Sequence, residues 1–181
     1  NVGQSGQHRV ARTRIIEAAK EMAAAAKGIL IEPGRIDFGA ADPPRNYFRL
    51  AFSSIDEKKI EPGVLLQARL YPDMFPLLRQ VLIASDFAKG IGGRLAGVEL
   101  PSFEDNEQTF DELQARIGKT LAFLDGLDPQ AFAGTESRQI VLRPGTPKER
   151  SLDGHAYLVA YGLPQFFFHV STSYAILRHS G

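Results

Sequence analysis

The sequence predicts a mainly α protein, a helical bundle carrying a small β-hairpin over residues 64–181, preceded by a short α/β segment over residues 1–63. Three observations lead there. Behind Thr109-Phe110-Asp111-Glu112, a capping-box pattern, Phe110, Leu113, Ile117, Leu121 and Leu124 recur at helical spacing up to Leu127. The last apolar segment, 164–179, has helical length and a proline where a helix can begin. Between them, Arg138-Gln139-Ile140-Val141-Leu142-Arg143 alternates as a strand and runs into the turn signal Pro144-Gly145-Thr146-Pro147.

Taken in order, residues 1–8 form a polar tail and residues 9–27 a helix. Val10, Ile15, Ile16, Ala19, Met22 and Ala23 give that helix a thin stripe, and Gly28 is its natural stop. Residues 28–38 read as two extended pieces around Pro33-Gly34, 42–46 as a loop, 47–52 as a strand, and Ser54-Ile55-Asp56-Glu57 as a second capping box. A helix over 73–96 places Asp73, Leu77, Gln80, Ala84, Phe87 and Ile91 on one face. Gly90, Gly92 and Gly93 either weaken its last turns or permit a close helix crossing. Asp128-Pro129 opens a short helical turn, and the final helical region starts near Gly154.

Composition bounds the function. The 181 residues include 44% apolar side chains, enough for a core, and 21 basic residues balance 21 acidic ones. No global field therefore favours nucleic acid or an anionic membrane, and no apolar run reaches membrane-spanning length. The basic side chains of the first helix, Arg9, Arg12, Arg14 and Lys20, suit a solvated face. The chain has no cysteine, hence no disulfide, thiolate ligand or thiol nucleophile, and the cytoplasm is the expected compartment.

The last helix holds the most informative residue. On a helical wheel Gln165, Phe166, Thr172, Ser173, Ile176 and Leu177 fall within about 80° of His169, so the imidazole sits in the apolar face. With Asp73 and Gln80 on the inward face of another helix, two arrangements are open. One is a satisfied hydrogen-bond network that fixes helix register. The other is a metal or small-ligand site with His169 and Asp73 as ligands and Gln80 or Gln165 beside them, supporting a metal-dependent transferase or hydrolase. A site of several histidines is harder to build. Beyond His8 the chain has His155, His169 and His179, and the last two lie about 80° apart round one helix and about 15 Å apart along it. Gly90-Ile91-Gly92-Gly93 follows no strand and makes no phosphate loop, and Ser171, Thr172 and Ser173 lack a nucleophile turn.

Two resemblances complete the reading. Ile31-Glu32-Pro33-Gly34 with Asp42-Pro43-Pro44-Arg45-Asn46-Tyr47-Phe48-Arg49-Leu50-Ala51-Phe52-Ser53-Ser54-Ile55 resembles the carboxy-terminal small domain of fold-type I pyridoxal-phosphate aminotransferases, closest to the aminotransferase-like halves of MocR-type regulators. The resemblance covers residues 12–63 and implies that Arg49 matches the arginine that clamps a substrate carboxylate, here as a relic. Pyridoxal phosphate is not expected, because the large domain that supplies its lysine is not found in this chain. From Val64 onward, Val64-Leu65-Leu66-Gln67-Ala68-Arg69-Leu70-Tyr71-Pro72-Asp73-Met74-Phe75-Pro76-Leu77, Gln80-Val81, Ala84-Ser85-Asp86, Arg94-Leu95-Ala96-Gly97, Pro101-Ser102-Phe103-Glu104-Asp105 and 163–179 resemble a bacterial domain-of-unknown-function family with a DinB/YfiT-like fold. That resemblance implies a four-helix bundle, and DinB-like proteins often hold a divalent metal with three histidines. The chain thus reads as a hybrid joined near Glu61-Pro62-Gly63. If the helix at 9–27 replaces the bundle's first helix, Ile15, Ile16 and Met22 contact 109–127 or 165–179. Otherwise the bundle lacks a wall and is completed by a second chain, as a homo-oligomer.

Overall fold

The computed structural model describes residues 60–180. The helix, strands and capping box expected within 9–57, Arg49, and the contacts of Ile15, Ile16 and Met22 lie outside the described residues. Within them the chain runs α1 (Pro62–Gln67), α2 (Leu77–Ala96), α3 (Phe110–Asp125), two 3₁₀ turns (Pro129–Phe132 and Thr135–Ser137), β1 (Gln139–Leu142), β2 (Arg150–Asp153), α4 (Gly154–Ala156), a π-wound turn (Tyr157–Gly162) and α5 (Leu163–His179).

The central element is α2, which packs on α5 and on α3. Its buried face carries Leu77, Val81, Ala84, Ala88, Ile91 and Leu95, the three-and-four spacing of a core-facing helix. It starts at Leu77 and not at Asp73. Pro72 and Pro76 disfavour helical backbone at the residues before them, and Pro76 takes the N-cap position with extended dihedrals. Residues 71–74 instead make a turn closed by Met74 N–H donating to the Tyr71 carbonyl at 3.0 Å. The glycines near the other end permit a close crossing, and the helix runs unbroken through them to Ala96. A Cβ at Gly92 would collide with Leu124 of α3 and come within 3.0 Å of Leu127. The helix ends at Gly97, whose φ of 71° needs glycine's freedom. Gly97 N–H then bonds the Arg94 carbonyl and Val98 N–H the Gly93 carbonyl.

The expected capping box forms in α3. The Thr109 hydroxyl accepts from Glu112 N–H while the Glu112 carboxylate accepts from Thr109 N–H. Leu113, Ile117 and Leu124 are buried, with Phe110 and Leu121 half-buried beside them. The hairpin pairs Ile140 with Leu152 and Leu142 with Arg150 in antiparallel register. Ile140 and Leu142 point inward, and the outward Val141 is exposed. α1 has no counterpart in the sequence reading, which placed a junction at Glu61-Pro62-Gly63. Pro62 in its first turn begins this short helix, and Leu66 is buried in the core.

α5 buries Phe166, His169, Val170, Thr172, Ser173 and Ile176. Pro164 lacks the N–H that would bond the carbonyl of residue 160, and its ring crowds that carbonyl. The turn before it accordingly winds wide. Gly162 lets that turn lie on α2, where a Cβ would stand 2.7 Å from Ile91 Cγ1.

Candidate functional site

His169 is 7% exposed, and its Nδ1 lies 2.7 Å from Gln80 Oε1 on α2. The partner atom fixes the proton. Gln80 Nε2 donates to the Phe75 carbonyl at 3.2 Å, which turns the amide oxygen toward the imidazole. Nδ1 is therefore the protonated nitrogen of a neutral ring, and Nε2 keeps the lone pair. Burial pushes the His169 pKa down, favouring that neutral form. Phe87 stacks on the ring at 5.9 Å, and Phe168 meets it edge-on at 5.1 Å.

The hydroxyls near His169 are engaged within α5. Ser173 Oγ donates to the His169 carbonyl at 2.9 Å, and Thr172 Oγ1 to the Phe168 carbonyl at 2.8 Å. Neither is aimed at the imidazole as a nucleophile would be.

The other expected site residues go elsewhere. Asp73 is exposed in the turn before α2, because the prolines delay that helix, and the structure does not bring it to His169. Gln165 shares a helix face with His169 but sits at the exposed first turn of α5, where it lines a cleft beside the hairpin. Only Gln80 and His169 come together. Among the described residues no three His, Cys, Asp or Glu side chains converge as ligands for a metal ion, so the described donor set does not fit the three-ligand centre that the fold suggested. His155 and His179 are both exposed.

A second polar cluster is absent from the sequence reading. Arg116 of α3 has a side chain only 1% exposed. Its Nη1 donates to the Glu104 carbonyl and to Glu107 Oε1, both at 3.0 Å. Its Nη2 donates to Asp86 Oδ1 at 3.0 Å and to Asp105 Oδ1 at 3.1 Å. Lys89 pairs with Asp86 at 3.1 Å, Arg79 with Asp105, and Phe103 lies under both the Lys89 and Arg116 cations. Burial pulls the Asp105 pKa upward, but the hydrogen bonds from Arg79 and Arg116 outweigh it and hold the carboxyl below its usual range. Burial likewise opposes the Arg116 charge, yet Asp86, Asp105 and Glu107 raise its pKa overall. Three cations (Arg79, Lys89, Arg116) thus meet three carboxylates (Asp86, Asp105, Glu107). With the charges balanced, the cluster ties the segment between α2 and α3 to both helices and leaves no charge of its own for a ligand. The signal was available: Arg116 adjoins Ile117 in the apolar stripe, and Asp86, Glu104 and Asp105 all stand in the quoted runs.

Comparison with known proteins agrees with this scaffold. A family model described as a domain of unknown function (DUF1993) matches residues 45–181, starting upstream of Val64. The crystal structure of a DinB family member from Shewanella denitrificans is 30% identical, with a TM-score of 0.61 over 100% of this chain and 84% of that one. The HTH-type transcriptional regulator TauR of Rhodobacter capsulatus is 50% identical over 44 residues, 24% of this chain, and the match spans only 9% of that relative's length. No helix of the described residues is long and apolar enough to cross a membrane. The buried Gln80–His169 pair and the Arg116 cluster thus lie within a mainly helical, DinB-like scaffold, and the chain belongs to the DUF1993 family, a domain of unknown function.

Proposed function

We propose that this is a non-catalytic DinB-like bundle domain in which the inward polar residues are structural. The observation that carries the reading is the 2.7 Å hydrogen bond from His169 to Gln80, whose own amide is oriented by the Phe75 carbonyl. A neutral imidazole held by a fixed amide sets the register of α5 on α2, since a one-residue slip leaves both polar groups buried and unmatched, at about 1–3 kcal/mol each. The test is elemental analysis of tag-free protein together with His169→Ala. The expected results are no stoichiometric divalent metal, and a variant that loses stability alone. A stoichiometric metal that disappears in His169→Ala would overturn the reading and restore a metal-dependent transferase or hydrolase.

The rest of the reading follows from the sequence. The aminotransferase-like character of residues 12–63 stands as a proposal of descent, with Arg49 a relic, and added pyridoxal phosphate is expected to give no visible-range absorbance band. Self-association is proposed as well, in a cytoplasmic setting, and light scattering of the purified chain tests it.

A further inference from the structure

Outside the His169–Gln80 pair, the hairpin turn and the start of α5 enclose a cleft of about 630 Å³, within the range of small-ligand sites. Its apolar lining is Leu142, Pro147, Phe87 and Tyr161, the last two with ring centroids 5.8 Å apart and edge-to-face. The π-wound turn carries Tyr161, and wide turns of this kind recur at functional sites. Arg143, Lys148 and Arg150 supply the charge.

The charge is unbalanced. Among the described residues no carboxylate pairs with Arg143, Lys148 or Arg150. The one acid lining the cleft, Glu149, offsets one of these three charges and leaves an excess of two; its Oε2 accepts from Gly145 N–H at 2.6 Å. The turn is also preformed. Thr146 Oγ1 donates to the Arg143 carbonyl at 2.8 Å and accepts from Lys148 N–H at 3.3 Å, while Glu149 N–H bonds the Thr146 carbonyl. Arg143 itself adopts φ of 52°, a left-handed conformation uncommon outside glycine. The hairpin thus places three cations on a cleft that two aromatic rings also line, in contrast to the neutralised Arg116 cluster.

We infer that this cleft binds a small organic anion with a flat, aromatic body, its acidic group on Arg143, Lys148 and Arg150 and its ring against Phe87 and Tyr161. Guanidinium groups suit a carboxylate, sulfonate or phosphate, and the rings supply the face on which a planar group lies. The inference goes beyond the structural reading of His169 and does not depend on it.

Calorimetry of the full chain at low salt, using 2-naphthalenesulfonate, 2-naphthol and inorganic sulfate as probes, tests it. The sulfonate is expected to bind at least tenfold tighter than either comparison. The triple change Arg143→Gln, Lys148→Gln and Arg150→Gln, all at exposed positions, is expected to lower that affinity at least tenfold with the thermal midpoint unchanged. Tyr161→Leu is expected to weaken the sulfonate and not sulfate. In the wild-type chain, intermolecular proton contacts between the naphthalene and the Phe87 and Tyr161 rings should appear by NMR. Equal binding of sulfonate and naphthol, full affinity in the triple variant, or no heat at millimolar sulfonate would overturn the inference.

Discussion

Replacing Arg116 by methionine keeps a long apolar stem on α3 and removes the guanidinium. Breaking a buried ion pair by deleting one partner costs about 3–5 kcal/mol when the other charge is stranded. Here the stranding is uneven. Asp86 and Asp105 have side chains 44% and 34% exposed and keep Lys89 and Arg79, so water and those cations support them. Glu107, at 10%, has no such substitute, and its Oε2 already lacks a partner. The loss therefore falls at the low end, about 3 kcal/mol, carried mainly by Glu107 and by the freed Glu104 carbonyl. For a chain of this length that lowers the melting temperature by about 6–12 °C. Urea denaturation measures it, and Glu107→Gln in the Arg116→Met background is expected to restore about 1 kcal/mol or more, because an uncharged amide no longer needs the cation. A single variant within about 0.5 kcal/mol of wild type, or a double mutant whose effects simply add, refutes the view of this cluster as the clamp between α2 and α3.

Other expectations follow from the same geometry. Gln80→Leu strands the His169 Nδ1–H and should cost about 1–3 kcal/mol in denaturant melts. Because burial lowers the folded-state pKa of His169, the unfolded chain binds its proton more readily. Stability from this residue is present above the unfolded value of about 6.5 and is lost as pH falls through the lower folded value. His169→Gln should flatten that slope in melts recorded across the window, and an unchanged slope would assign it to another group. Asp105, held below its usual range, should add a separate loss at more acidic pH that Asp105→Asn removes. Glycine substitutions should split by environment. Gly92→Ala drives a methyl into Leu124 and should cost about 1–3 kcal/mol, whereas Gly118→Ala, with nothing within 4 Å, should gain about 0.5–1 kcal/mol.

The parts of this fold that depend on neighbours in sequence were legible. The Thr109 box, the stripe behind it, the alternation of Ile140 and Leu142, and the face of α5 around His169 all follow from local periodicity and capping chemistry. The start of α2 was misplaced because periodicity outweighed Pro72 and Pro76, and that moved Asp73 onto a buried face it does not occupy. Gln165 failed for another reason: the wheel gives direction around a helix but not which turn is covered. The Arg116 cluster joins residues 30, 11 and 9 positions apart, a pairing that no local rule contains. The meeting of Gln80 with His169, 89 positions apart, was anticipated only because both lay on inward faces.

The wide turn over Tyr157–Gly162 bears on how this scaffold can diverge. A π turn absorbs one residue locally while the flanking α segments keep their phase. Loss of one residue there, with Pro164 also replaced, would return the turn to α winding and leave the buried face of α5 in phase, with His169 toward Gln80. Tyr161 would be withdrawn from beside Phe87. Relatives could thus gain or lose the aromatic side of the cleft by one insertion or deletion coupled to a change at Pro164, without renegotiating the core beneath it.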